Sequence, residues 1–254
     1  MFKIAIANNK GGVGKTTSAF NMASYYAKKN FKVLVIDMDS QGNLSDCFIS
    51  PENINETLYD SFKNKNIKNS IHIIDDSLHI VPADADLERC NFDFVSEIGR
   101  ETLLKRLLLS VENDYDLCII DTSPAISLLT LNALSAVDKV YIPLGSGLFE
   151  IKGVQLLNEA IENIKNSVNF NLEIGGIFVT NHLATTNLAK NVLDYANNIF
   201  ENKMLNTVIR RNIQLAESIS FKESIFTYKP NSTGADDYAS LCEEILSREV
   251  IVLG

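Results

Sequence analysis

Several things that would redirect the reading of this sequence are missing from it. Its four cysteines, Cys47, Cys90, Cys118 and Cys242, are scattered and form no C-x-x-C pair. That excludes a disulfide framework and a paired-thiol metal site, and it points to reduced thiols in a reducing compartment. The three histidines, His72, His79 and His182, share no ligand spacing, so no metal site is read from them. The opening stretch MFKIAIANNK has no long apolar segment with basic flanks, which excludes a signal peptide. No apolar run approaches the roughly 18 residues of a membrane span. A formal charge of −9 excludes a coat of basic surface but leaves room for a local basic patch. There is no Pro/Gly/Ser-rich linker, internal repeat or low-complexity tract, so residues 1–254 are expected to form one domain.

What is present is an ordinary globular composition, with 46% hydrophobic and 22% charged residues over 254 positions. A chain of this length buries a core without covalent staples. Short apolar runs alternate with longer amphipathic ones. Phe2–Ala7, Lys32–Ile36, Leu78–Pro82, Leu117–Ile120, Lys139–Pro143 and Glu173–Val179 read as strands, with a short further one at Val208–Ile209. Thr17–Lys29, Gly99–Val111, Ser127–Ala136, Gly153–Asn166, Thr186–Phe200 and Asp236–Leu246 read as helices. Residues 50–76 are polar and weakly patterned and are expected to form an excursion with short helices. Strands separated by helices of this length predict right-handed βαβ units. Runs such as VLVI and LCII, apolar throughout, fit strands covered on both sides. The expected fold is α/β: a doubly wound, mostly parallel sheet with helices on both faces.

Residues 8–17 read Asn-Asn-Lys-Gly-Gly-Val-Gly-Lys-Thr-Thr, after a strand and before a helix. This is the context of a phosphate-binding loop. Gly11, Gly12 and Gly14 let the backbone turn its N–H groups toward an anion, and the helix beginning near Lys15 adds its positive end. Lys15 supplies a charge for the β- and γ-phosphates, and the Thr16 hydroxyl is placed for Mg2+. Asn9 stands where the strict pattern has its first glycine, and a second lysine, Lys10, precedes the glycine pair. Asp37 and Asp39, in VLVIDMDSQGNLS, sit where a strand ends, at the edge where open α/β sheets bind ligands. Such a pair serves a metal or orients a water. Asp121, in YDLCIIDTSPA, ends another apolar strand in the manner of a Walker B carboxylate.

The segment KGGVGKTT resembles the deviant Walker A loop of the ParA/MinD superfamily of P-loop NTPases, which includes the nitrogenase iron protein. DMDSQGN is similar to the family's D-x-D-P-Q-G-N, with Ser40 in the place of proline, and DTSP to its D-x-P-P, with Ser123 likewise. TVIRRNIQLAES resembles T-V-I-P-R-N-x-R-L-x-E-A of the Soj/ParA branch. TYKPNSTGADDYASL is similar to that branch's Y-x-P-x-S-x-G-A-x-x-Y-x-x-L. Ile142–Leu157 carries a looser likeness in which Gly145, Ser146 and Gly147 replace bulkier or acidic residues. The resemblance spans nearly the whole chain and is weakest over residues 50–110.

The resemblance implies a cytoplasmic, nucleoid-associated ATPase for plasmid or chromosome partition. It implies ATP and Mg2+ as cofactors, held by Lys10, Gly11, Gly12, Val13, Gly14, Lys15, Thr16 and Thr17. Asn212 matches the adenine-contacting asparagine, and Arg210 stands in place of a proline beside it. Asp37 and Asp121 fall on the metal side with Thr16, and Asp39 positions or activates the attacking water. Lys10 reaches the partner's phosphates in an ATP-dependent homodimer. That dimer binds DNA non-specifically, with Arg210, Arg211 and Lys222 as the DNA-facing residues, while Gln214 replaces a second family arginine. A ParB-like centromere-binding protein stimulates turnover. Because the phosphate loop follows the first strand, an N-terminal DNA-reading domain is not expected. A MinD-like, membrane-positioning ATPase is the alternative. The chain's end, CEEILSREVIVLG, is acidic and then apolar rather than basic and amphipathic, which disfavours it.

Overall fold

The structure is a computed structural model that describes residues 1–145, 150–183, 194, 196 and 198–249. Its strands are β1 (Phe2–Ile6), β2 (Val33–Met38), β3 (His72–Ile73), β4 (Leu78–Val81), β5 (Leu117–Thr122), β6 (Lys139–Leu144), β7 (Glu173–His182) and β8 (Met204–Arg210). They form one sheet in the order β3-β4-β2-β5-β1-β6-β7-β8. All neighbours are parallel except β3 and β4. The helices used below are α1 (Lys15–Lys28), α2 (Asn43–Phe48), α3 (Leu58–Asn64), α4 (Cys90–Asp93), α5 (Leu103–Leu108), α6 (Leu128–Ala136), α7 (Glu150–Ser167), α8 (Ile213–Ser220), α9 (Ile225–Tyr228) and α10 (Thr233–Glu249).

Side-chain alternation sends successive residues of β1 to opposite faces. Ile4 and Ile6 join Phe20, Met22 and Tyr26 of α1 and Tyr238 and Leu241 of α10. Ala5 and Ala7 join Leu58 of α3, Leu104 of α5, Leu129 of α6 and Val154 of α7. Every residue of β2 and of β5 is buried, as expected for strands between two helical layers. Each large apolar side chain removed from water contributes about 1.5–3 kcal/mol.

The doubly wound α/β sheet matches the expectation, with local differences. The expected helix over Gly99–Val111 is interrupted. Gly99 takes a left-handed backbone (φ 69), a 3-10 turn follows at Arg100–Thr102, and α5 starts only at Leu103. The expected two-residue strand at Val208–Ile209 is the end of β8, which starts at Met204. Polar Asn206 and Thr207 masked it. Their backbone N–H groups face outward at the sheet edge and donate to the Glu244 carboxylate, at 2.8 and 2.9 Å. Residues 50–76 do hold short helices, α3 between 3-10 turns at Pro51–Asn53 and Lys68–Ser70. The excursion also holds β3, too short for its two residues to show periodicity. Most of the expected Thr186–Phe200 helix, and Ser146 and Gly147, lie outside the described residues.

Candidate nucleotide site

The loop between β1 and α1 lies at the C-terminal edge of the sheet, beside the ends of β2, β5, β6 and β7. Gly12 and Gly14 take positive φ values of 75 and 86, a backbone that L side chains rarely adopt. Gly14 is the N-cap of α1, and no side chain caps that end, so the free N–H groups of the first turn face the cleft. Neighbouring strands fasten the loop. Asn8 Nδ2 donates to Pro143 O at 2.7 Å, and Thr180 Oγ1 donates to Val13 O at 2.8 Å. Gly153 of α7 lies against it so closely that a Cβ there would sit 2.3 Å from Asn9 Oδ1 and 3.1 Å from Lys10 Cγ. None of Asn8, Thr180 and Gly153 was picked out from sequence, because contacts between separate βα units leave no local pattern.

A cleft of about 480 Å³ opens over the loop, lined by Lys15, Thr16, Thr17, Asp39 and Ser123 among others. Lys15 is buried, 7% exposed. Its ammonium donates to Lys10 O at 2.9 Å. Burial lowers its pKa, while the charges of Asp121 and Asp39 oppose that shift. Lys10 lies at the exposed rim, and its ammonium has no partner among the described residues.

Asp37 and Asp121 are cross-strand neighbours on β2 and β5. Burial holds the Asp121 carboxyl well above the usual carboxylate range, and the negative Asp37 adds to this. One Asp121 oxygen accepts the Thr16 hydroxyl at 2.7 Å. The other, Oδ1, is buried without a hydrogen-bond partner among the described residues. A buried, unsatisfied carboxylate oxygen beside a hydroxyl is a donor set suited to a hard cation. Thr16 and Asp121 thus fit Mg2+.

Asp37, expected on the metal side, is engaged by the protein itself. Its Oδ1 accepts from Asp39 N at 3.0 Å, and its Oδ2 accepts both the amide and the hydroxyl of Ser45 at 2.8 Å. Three internal donors engage this carboxylate, which makes it the anchor of the turn at residues 39–45. Asp39 is half-buried and faces the cleft. Its Oδ1 accepts from Gln41 N at 3.1 Å.

The residues expected to face the base and DNA do not line this cleft. Asn212 caps α8 by accepting from Gln214 N at 2.8 Å, and its amide nitrogen donates to Thr233 Oγ1 at 2.9 Å. Arg210 is bound to Asp237 through its backbone N–H at 2.8 Å and its guanidinium at 2.6 Å. The ammonium of Lys222 donates to Ser50 Oγ at 2.9 Å, just past α2. Arg211 is exposed, and its guanidinium has no partner among the described residues.

An AAA domain family model matches residues 1–174. The chromosome-partitioning ATPase Soj of Treponema pallidum (strain Nichols) is 37% identical over 252 residues, covering 97% of each chain. Among solved structures, a putative plasmid partition protein of Borrelia burgdorferi bound to AMPPNP superposes with a TM-score of 0.81 at 26% identity, over 98% of each chain. Cobyrinic acid a,c-diamide synthase of Mycobacterium smegmatis, with a bound ATP analogue and magnesium, superposes with a TM-score of 0.86 at 25% identity, over 98% of this chain and 96% of that one.

Proposed function

We propose that this chain, which belongs to the ParA/Soj-type family of partitioning ATPases, works as an ATP-gated dimer that carries its cargo over DNA. It is an ATPase and uses ATP with Mg2+. In the proposed cycle residues 1–254 act as one ATPase domain. Gly11, Gly12, Val13, Gly14, Lys15, Thr16 and Thr17 hold the phosphates. Thr16 and Asp121 would hold Mg2+. Bound there, the ion would supply charge to offset that of the phosphates. Asp39 orients the attacking water. Arg210 and Asn212 border the base through the backbone of the β8–α8 turn, since their side chains have other partners.

The observation that carries the dimer is the contrast between the two lysines of the loop. Lys15 is buried in its own cleft, whereas Lys10 stands at the exposed rim and its ammonium has no partner among the described residues. A cation there completes a partner's site in the manner of an arginine finger. The dimer then binds DNA without sequence preference through Arg211, with Arg210 and Lys222 beside it. A ParB-like centromere-binding protein stimulates hydrolysis and release, and the protein resides on the nucleoid in the cytoplasm. The test is light scattering on a sizing column with ATP, ADP and no nucleotide. Wild type should dimerise only with ATP, and Lys10→Ala should bind ATP yet stay monomeric. A Lys10→Ala dimer of normal stability would refute the role given to Lys10.

A further inference from the structure

The loop that carries Asp39 is fastened from outside by a segment that no phosphate-loop motif includes. Gly42 N donates to Asp39 O at 2.9 Å, closing a turn. Gly42 itself, with φ 64, lies so close to the next segment that a Cβ would meet Ala83 O at 3.2 Å. The Ser45 hydroxyl donates to Asp37 and accepts from Ala83 N, both at 2.8 Å. Farther out, Ser40 Oγ donates to Glu88 Oε2 at 2.9 Å. Glu88 stands on the 3-10 turn Ala85–Arg89 and is steadied from its other side by Asn91 Nδ2, 3.3 Å from its Oε1. Ser40, Glu88 and Asp39 line the same cleft as Lys15 and Thr16.

A proline at position 40 would have neither a hydroxyl nor an N–H, but it would stiffen the turn through its ring. Serine leaves the backbone freer, and its hydroxyl finds a fixed acceptor in Glu88. A catalytic group gains rate when its supporting contacts hold it in place before the reaction. We propose that Glu88 is a positioning residue for hydrolysis, acting through the Ser40 hydroxyl to hold the Asp39 loop over the phosphate cleft. Glu88 touches no reacting atom in this assignment. The inference rests on the reading of Asp39 as the residue that orients water.

Steady-state hydrolysis by the full chain at saturating Mg2+ and varied ATP tests it. One exposed hydrogen bond contributes a factor of about 3 to 10 when it acts on the rate. Ser40→Ala and Glu88→Ala should each lower kcat by that factor while changing KM less than about twofold. The double variant should be no slower than either single one, because both remove the same contact. Glu88→Gln keeps an oxygen that accepts the serine hydroxyl and should recover most of the loss. The inference fails if kcat is unchanged in Ser40→Ala or Glu88→Ala, or if Glu88→Gln is as slow as Glu88→Ala. The latter outcome would mean that the charge itself acts. Asp39→Ala, measured alongside, separates the two readings. Wild-type hydrolysis by Asp39→Ala sinks the role of Asp39, whereas a slow Asp39→Ala beside normal Ser40 and Glu88 variants sinks only the positioning role.

Discussion

The buried ammonium of Lys15 donates to the main-chain carbonyl of Lys10, 2.9 Å away. The carbonyl satisfies a charge that would otherwise be stranded, since Lys15 is only 7% exposed. A neutral carbonyl is a weaker partner than a phosphate oxygen, so an incoming triphosphate takes the ammonium over without rebuilding the loop. Lys15→Ala should therefore weaken ATP binding by about a hundredfold, the upper range for a charged hydrogen bond. Calorimetric titration with Mg2+ and ATP checks this. An affinity within threefold of wild type, roughly 0.7 kcal/mol, would show that the cleft holds phosphate by other means.

Asp39 should separate binding from turnover. Its loss leaves the phosphate loop and the Thr16–Asp121 pair in place, so Asp39→Ala should bind ATP normally and hydrolyse it at least about a hundredfold more slowly. The ATP-bound dimer should then persist through a sizing column from which wild type elutes as monomer after turnover. Rapid decay of the variant's dimer would pass the role to another group.

The sequence was most legible where chemistry and local backbone coincide. Glycines, Lys15 and Thr16 sit within one strand-to-helix turn, and their spacing alone implies an anion site. Asp121 was legible because an apolar strand ending in a carboxylate is a one-dimensional pattern. The second task of Asp37, anchoring the 39–45 turn, was hidden for the same reason. A strand-end aspartate looks the same in sequence whether it faces a metal or accepts from Ser45, and only the fold of residues 39–45 decides. The ties through Thr180, Gly153 and Glu88 join segments far apart in the chain, so nothing local encoded them. The edge strand β8 was partly hidden because Glu244 satisfies its outward N–H groups and lets polar residues stand in a strand.

Packing between β6 and β7 offers a test of stability that does not touch the lining of the cleft. Gly175 leaves room for Tyr141, whose ring atoms would lie 2.7 and 2.9 Å from a Cβ added there. Tyr141 is fully buried and donates to Glu249 at 2.7 Å, so it has little freedom to yield. Gly175→Ala should cost about 1–3 kcal/mol through overpacking. That corresponds to roughly 3–10 °C in Tm for a chain of this size. Thermal unfolding measures it, and ATP affinity in the same variant is expected to change little because neither Gly175 nor Tyr141 lines the cleft.

Asp37 gives a pH dependence with a definite sign. Burial pushes its carboxyl up to about 6 from an ordinary 3.8, with the negative Asp39 adding to the shift and hydrogen bonds from Ser45 and Asp39 N–H opposing it. The folded chain thus holds this proton more tightly than the unfolded chain does. The associated stabilisation is complete below pH 3.8 and is lost as pH rises through about 6. Relative to Asp37→Asn, the nucleotide-free and metal-free wild type should lose roughly 2–3 kcal/mol across that window. Chemical denaturation of both proteins between pH 4 and 7 measures the difference. Parallel curves would show that Asp37 carries its charge at no cost.

DNA binding should depend on Arg210, Arg211 and Lys222 unequally, because of the three only the Arg211 side chain has no partner among the described residues. Arg211 is exposed and has no side-chain partner among the described residues, so its charge is available to a phosphate without breaking anything. The Arg210 guanidinium must first give up Asp237, whose side chain is only 10% exposed, and Lys222 must leave Ser50. A chain of net charge −9 is repelled by DNA over most of its surface, so the few basic contacts carry the affinity and a twofold dimer doubles them. Affinity for a random duplex should appear with ATP and fall steeply with salt, the log–log slope being about −0.9 per phosphate contact. Arg211→Ala should flatten that slope by about two contacts per dimer, and leave ATP affinity and Tm unchanged. Arg210→Ala should instead lower Tm, since it takes the guanidinium from the Asp237 carboxylate and leaves it only the backbone N–H of residue 210, and should change the slope less. Polarisation titrations at several salt concentrations, paired with melting curves, distinguish the two arginines. An ATP-bound dimer that ignores DNA at low salt, or an Arg211→Ala slope equal to wild type, would move the cargo-carrying surface elsewhere on the molecule.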